Sequence, residues 1–364
     1  MSDLRLNVDA ARDFVERAMV GYGFTAEEAA ITADVLLTAD LYGIQSHGIH
    51  RLARYADAIR EGSIDPKATV TTLFETPLSA VWDAPRTLGQ AVAHRGMSLA
   101  IEKARAHGFG IVTVRGTNHY GIAGYYTRMA LKADMIGLCM TNTEAIAIPT
   151  HGKKAMLGTN PIAVAMPADP VDFWYDAATT VVPRGKLEVY NKAGKPLPTG
   201  WAADENGRDC PDSERVLKNI IGKAGGGIFP LGGFSEETGS HKGYGLGIIV
   251  EMMTAVISGG TTSPNVRRSG NADTSFTFAA LDYGLFGDKP AIKARMSQLL
   301  RELRESPKAD GQDRIYTHGE KELENAARLA REGIPVNQKT IDEMRAVAEE
   351  LGIAFLDEAI GIRQ

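Results

Sequence analysis

The stretch Asp40–Tyr55 reads DLYGIQSHGIHRLARY. Gly43 marks a turn, and Ser46 is placed to cap a helix by accepting a free backbone N–H. Ile49, Leu52, Ala53, Ala56 and Ile59 then recur at helical spacing, which predicts a helix from Ser46 to about Gly62. His47, Arg51 and Tyr55 fall four apart and share one face of it. A group able to titrate near neutral pH thus stands one turn from a permanent cation. That pairing matches the needs of a 2-oxo acid: a guanidinium fork for the carboxylate, and a proton for the carbonyl oxygen as hydride arrives. A helix face that is merely solvated has the same pattern.

Around this stretch the chain has 364 residues, 44% hydrophobic and 23% charged, with a formal net charge of −5. At ~150 residues per domain the length predicts two or three domains. No dense Lys/Arg run is present, so nucleic acid is not an expected partner. Cys139 and Cys210 form neither a CxxC pair nor a disulfide framework, which fits a reducing cytoplasm. The N-terminus lacks a signal peptide's apolar core. No apolar run reaches the ~18 residues of a membrane span, since even Tyr244–Ile257 contains Glu251, so a soluble protein is expected.

Residues 1–62 read as helical, with Thr25 and Glu28 as a capping box. Short strands are predicted at Val70–Phe74, Ala80–Asp83, Gly110–Val114, Met135–Met140, Ile162–Met166, Phe173–Ala178 and Ser275–Leu281. Helices are predicted at Gln90–His107, Tyr125–Lys132 and Arg184–Tyr190, with Gly108 closing the first of them. Lys192–Gly239, rich in Gly, Pro and charge, reads as a long excursion. Lys242–Ile257 reads as a buried apolar helix, and the last third as helical and charged. Strands and helices do not alternate regularly, and no GxGxxG, P-loop, HExxH or GxSxG occurs.

Several polar constellations could carry chemistry. His119 lies in GTNHYGIAG, a Gly-rich loop running into a helix, where an anion such as a pyrophosphate could bind. Arg184-Gly185-Lys186 puts two cations at a helix start, against the dipole, which calls for an anionic partner or a nearby carboxylate. Lys242 opens the apolar helix, where it could hold a phosphate or form a Schiff base with pyridoxal phosphate. His47-x-x-His50 has weak metal-like spacing and no third ligand, so no metal is expected.

Five ordered segments, SHGIHRLARY, RGTNHYGIAGYY, LGTNPIAVAMP, PRGKLEVY and HKGYGLGIIVEMM, resemble the malate/L-lactate dehydrogenase family of non-Rossmann 2-hydroxy-acid dehydrogenases. The resemblance runs from the first helix to about Leu351. It implies an α/β fold of α+β type with three parts: an NAD(P)-binding domain built on a mostly antiparallel sheet (123–276), an α/β substrate domain (63–122 and 277–319), and a helical region (1–62) packed with C-terminal helices (about 320–364). It also implies NAD or NADP as cofactor, a small 2-hydroxy or 2-oxo acid of malate or lactate type as substrate, and a homodimer or higher oligomer. Reduction of a cyclic imine or a ureido acid is the alternative within the family.

Residue by residue, Ser46 and His47 resemble the catalytic pair, with Lys186 beside them, and Arg51 resembles the carboxylate clamp. His119, Thr159, Arg184 and Gly185 resemble substrate contacts. Cofactor contacts are implied for His119, Tyr120, Gly121, Ile122, Ala123, Asp176, Ala177, Ala178, His241, Lys242, Gly319 and Glu320. In some members the histidine at position 119 is the acid/base. Lys186 stands where the imine-reductase branch has aspartate, which favours an oxo acid. His318 replaces the family's usual proline before Gly319-Glu320.

Overall fold

The computed structural model describes residues 4–267 and 272–362. Strand β1 (Leu4–Leu6) leads into helices α1 (Val8–Gly21) and α2 (Ala26–Leu41). Asn7 caps α1 by accepting the Ala10 N–H, and Thr25 and Glu28 form the expected capping box of α2. The next element departs from expectation. Gln45–His47 and Ile49–Arg51 are separate 3-10 turns, and the α-helix proper, α3, spans only Leu52–Arg60. Ser46 is therefore not an N-cap. Asp40, buried on α2, accepts the Ile49 N–H at 2.7 Å and satisfies that free donor from another helix.

The middle of the chain follows the predicted bounds closely: β2 (Thr71–Glu75), β3 (Ser79–Asp83), α4 (Gly89–His107), β4 (Phe109–Thr117), α5 (Ala123–Lys132), β5 (Ile136–Thr141), β6 (Ile162–Met166) and β7 (Phe173–Ala177). Gly108 closes α4 at φ 83°, a left-handed conformation that suits glycine. Then come α6 (Arg184–Lys192), β8 (Ala202–Ala203), α7 (Ser213–Gly222), β9 (Gly227–Ile228), α8 (Ser240–Glu251) and β10 (Thr274–Leu281). The chain ends through α9 (Lys289–Glu305), α10 (Glu320–Glu332), β11 (Ile334–Pro335), α11 (Gln338–Leu351) and β12 (Ile360–Ile362).

One sheet organises the molecule, in the order β2-β3-β4-β10-β5-β6-β7. Only β3 and β4 pair in parallel; the other neighbours are antiparallel. Strand β10 is almost wholly buried, as befits a central strand covered on both faces. Helices α4 and α5 cover one face around Val112, Tyr126, Phe276 and Phe278. On the other face the Thr277 hydroxyl donates to Met253 O, in the π-helical turn that continues α8. Strands β4, β10 and β5 are neighbours in this sheet. The stretches expected as separate substrate (63–122, 277–319) and cofactor (123–276) domains thus share a sheet and a core.

Helices α1 to α3 pack with α11 around Phe14, Leu36, Leu52, Met344 and Val347. The Lys192–Gly239 excursion is not a loop. It carries α7, β8 and β9 and closes its own small core, with Leu197, Cys210, Val216 and Ile228 set against Leu187 of α6. Helix α8 is buried on one face only. Gly243 lets its backbone approach Leu231, and Glu251 accepts from Asn160 Nδ2 at 2.9 Å and from Ser263 N–H at 3.2 Å. Its other face, continued into the π turn and Ile257, leaves Leu246, Ile248, Ile249, Met252, Val256 and Ile257 between 37% and 60% exposed. The expectation of a buried helix fails because that apolar surface has no cover among the described residues. Among the described residues no helix is long and apolar enough to cross a membrane.

Candidate active site

The two 3-10 turns before α3 carry the centre of the site. Ser46 Oγ lies 2.8 Å from His47 Nδ1. Arg51 folds back to donate its Nε–H to Ser46 O at 2.7 Å, which leaves both terminal nitrogens of its fork without a protein partner among the described residues. The His47 ring stacks on that of His119, with centroids 5.3 Å apart and planes 29° from parallel. The Tyr55 hydroxyl lies 2.9 Å from His119 Nδ1. Gly185, at the start of α6, faces the same turn: a Cβ there would lie 4.0 Å from Ser46 Cβ. Ser46, His47, Arg51, His119 and Gly185 are thus brought together from three separate motifs.

Burial holds both rings neutral. It pushes His47 down to about 3, with the Arg51 charge adding to the effect. His119 is held well below the usual histidine range by burial, then by His47 and Arg51. His50 is lowered to about 4 by burial and then Arg51. Among the described residues no three His, Cys, Asp or Glu side chains gather as a metal site. Arg184 pairs with Glu188 at 3.0 Å, the nearby carboxylate that its position called for. Lys186 is exposed and has no side-chain partner.

The expected cofactor residues fall into three places. At the start of α5, Asp176 Oδ2 accepts the Gly124 N–H at 2.7 Å. One amide at that helix terminus is therefore already taken by the chain's own carboxylate. Burial pushes Asp176 up to about 6. Ile122 and Ala123 are buried beside it. Gly121, at φ 87°, packs on Val35 so closely that a Cβ would lie 2.4 Å from Cγ1. Tyr120 is a core residue, stacked on Phe276 at 4.2 Å and Tyr126 at 5.0 Å, and its side chain is not free to touch a cofactor. Gly319 adjoins the same corner, since a Cβ there would lie 3.2 Å from Trp174 Cβ. The Glu320 carboxylate is buried and committed to Arg304 and Arg314, each at 2.8 Å, so it is a structural group.

Further along β7, Ala177 pairs with Ile162. Ala178 leads to Thr179, whose N–H goes to Thr159 O at 2.9 Å, and the Thr159 hydroxyl has no partner among the described residues. His241 and Lys242 are exposed at the N-terminus of α8, which no side chain caps. A positive dipole end and an ammonium without a partner among the described residues suit a phosphate, so this terminus fits a dinucleotide. No hydrogen bond or ion pair among the described residues joins His241, Lys242 or Glu320 to the His47 cluster. Asp40, Arg54 and Arg267 also belong to the surroundings of the site, and no motif in the sequence assigned them a role. The available signal for Asp40 was that it and Asp34 are the two charges in the otherwise uncharged run Ala29–Leu41; for Arg267 there was none.

Oxo-acid chemistry beside a sheet with no Gly-rich dinucleotide turn belongs to the non-Rossmann 2-hydroxy-acid dehydrogenases, and fold and cleft assign the chain to that class. The malate/L-lactate dehydrogenase family model matches residues 6–345, and the chain belongs to this family. It is 41% identical over 356 residues to a malate dehydrogenase of Pyrococcus abyssi, covering 97% of each chain. It is 37% identical to an L-sulfolactate dehydrogenase of Methanocaldococcus jannaschii, covering 92% of this chain and 94% of the other. The crystal structure of malate dehydrogenase from Entamoeba histolytica superposes with a TM-score of 0.93 at 34% identity, covering 96% of this chain and 99% of that one. The protein is a 2-hydroxy-acid dehydrogenase of a family that works with nicotinamide cofactors.

Proposed function

We propose that the chain interconverts malate and oxaloacetate, or a similarly small dianionic pair, with NAD or NADP. The carrying observation is an unbalanced cation cluster. Arg51 senses Arg184, Arg267 and one carboxylate, Glu188. Arg54, exposed at the surface of the chain, is lowered by partial desolvation and by the charges of Arg267, Arg51 and Arg184. Arg51, Arg54, Arg184 and Arg267 bear on one another here, and Glu188 already pairs with Arg184, which favours a substrate with two negative groups over the single charge of lactate. The resemblance to malate and sulfolactate dehydrogenases points the same way.

When bound, nicotinamide exchanges a hydride with C2 of the acid. The chain supplies everything else. Arg51 holds the carboxylate on its free fork, with Arg184-Gly185 at the opposite lip and the Thr159 hydroxyl as a further contact. His47, oriented through Ser46, takes the hydroxyl proton in oxidation and returns it in reduction. An arriving carboxylate raises the proton affinity of this ring, because a nearby negative charge favours the imidazolium. Lys186 adds an exposed cation one residue beyond Gly185. His241 and Lys242 hold a phosphate of the cofactor. The exposed apolar face of α8 pairs with a second copy of the chain, and the two buried, unpaired thiols fit a cytoplasmic protein.

Nicotinamide absorbance tests this reading. Purified protein with NADH or NADPH is given oxaloacetate, pyruvate, sulfopyruvate, diketogulonate or piperideine-2-carboxylate. Turnover of oxaloacetate well above pyruvate is expected, and the same assay names the cofactor. Oxidation only with the imine would overturn the substrate, and none with any of the five would overturn the dianionic-acid reading.

A further inference from the structure

Two stacked imidazoles face one cleft, and only one of them need move the proton. The hydrogen bonds of His119 distinguish them. Its Nδ1 accepts from the backbone N–H of Gly121 at 3.4 Å and lies 2.9 Å from the Tyr55 hydroxyl. A backbone N–H can only donate, so Nδ1 carries no proton, and the Tyr55 O–H must donate to it as well. The proton of the neutral ring therefore sits on Nε2. That nitrogen has no partner among the described residues and is not among the enclosed, unpartnered atoms, so it opens on the cleft. The neutral ring has one lone pair, and the protein already uses it. A base needs a lone pair that is free.

His47 differs. Its Nδ1 meets only a hydroxyl, which can donate or accept, so this ring can change its protonation without breaking a fixed N–H contact.

Tyr55 is itself held in place. It is 3% exposed. Gln90 is fully buried and bears on the Tyr55 oxygen as a side-chain donor, although neither polar atom of its amide completes a full hydrogen bond among the described residues. An enclosed, unpartnered amide is costly unless it has work to do, and bracing the phenol is the polar task within its reach. The start of α4 is fixed against the His119 loop: a Cβ on Gly89 would lie 2.2 Å from Asn118 O and 2.3 Å from His119 O. Asn118 ties that loop down, donating to Ser63 O at 2.9 Å and to Thr87 O at 3.0 Å.

We propose that Tyr55, braced by Gln90, is a positioning residue: its O–H reinforces the long Gly121 N–H contact at Nδ1 and so holds His119 as its Nε2–H tautomer, making His119 a fixed hydrogen-bond donor beside His47 and leaving the proton to His47. This rests on reading the cleft as a 2-hydroxy-acid site. A fixed N–H there serves the acid oxygen on which charge develops, and losing one such donor typically costs ~10²–10³-fold in kcat.

The test is long-range proton–nitrogen NMR on protein labelled with ¹⁵N-histidine, with the His119 signals assigned through their loss in His119→Gln. The wild type is expected to show Nδ1 unprotonated and Nε2 protonated. In Tyr55→Phe the ring should shift towards a mixture with the Nδ1–H form. Its kcat should fall about 10- to 100-fold, with KM for the acid little changed and the pH profile keeping its limb from His47. A wild-type Nδ1–H tautomer would overturn the proposal, as would a Tyr55→Phe protein with tautomer and kcat both unchanged. If Tyr55→Phe does not fold, Gln90→Leu is read the same way, with a smaller shift expected. The spectra need no turnover. A locked Nε2–H form in a protein inactive on every acid would therefore support the tautomer assignment and sink the functional reading alone.

Discussion

Asp40 Oδ2 accepts the Ile49 N–H at 2.7 Å, and a methyl group on Gly48 would lie 1.8 Å from the other oxygen of the same carboxylate. One buried acid on α2 thus sits directly beneath the turn that carries Ser46 and His47. The turn is 3-10 rather than α because its free donor is capped from below, and the glycine is needed because the cap leaves no room for a side chain.

Gly48→Ala should therefore displace the turn. A near-attack geometry is sensitive to shifts of ~1 Å, and a kcat loss of about 10²-fold is expected with the fold retained. Steady-state kinetics alongside a thermal melt would check this. Unchanged kcat would mean that the Asp40 contact does not position His47.

Asp40 also makes stability depend on pH. Burial raises its carboxyl to about 7, above the 3.8 of an exposed aspartate. The folded state binds the proton more tightly, so this stabilisation is complete below about pH 4 and is lost as pH rises through 7. Asp40→Asn keeps the acceptor and removes the buried charge. Its Tm should overtake that of the wild type above pH 7, and parallel Tm curves from pH 5 to 9 would refute the assignment.

His47→Ala should lower kcat by ~10²–10⁴-fold, the usual worth of a positioned acid or base, with cofactor affinity near that of the wild type. Full turnover in this variant would remove His47 from the mechanism and move its role to His119.

Arg51→Lys keeps the charge and loses the fork. Because the Arg51 Nε–H also goes to Ser46 O, the lysine cannot both tie the turn and grip a carboxylate. KM for the acid should rise by more than kcat falls. A stable KM would place the clamp elsewhere in the cluster, with Arg54 the next to substitute.

Ile249→Glu puts a charge in the middle of the exposed apolar face of α8. Light scattering after gel filtration should show a dimer or larger assembly for the wild type and a monomer for the variant. A wild-type monomer at micromolar concentration would refute the pairing of this face.

The sequence by itself determined the period-2 and period-3.6 segments, the caps and the ordered motifs. Those features are local: Thr25 and Glu28 cap their own helix, Gly108 ends its own, and Ile162–Met166 alternates large and small residues whatever lies beside it. They were enough to place the chain in its family and to pick out Ser46, His47, Arg51 and His119. Tertiary structure decided the rest, through contacts whose partners are far apart in sequence. Ser46 lost its expected cap role because Asp40 reaches Ile49 from another helix. The expected domains merged because β10 inserts between β4 and β5. The side chains of Glu320 and Tyr120 are engaged by arginines from elsewhere and by a stack of aromatic rings. The tautomer of His119 depends on Tyr55, 64 residues earlier in the chain. A local pattern records which face an element can bury. It does not record which distant group arrives there, and protonation, capping and binding are set by that group.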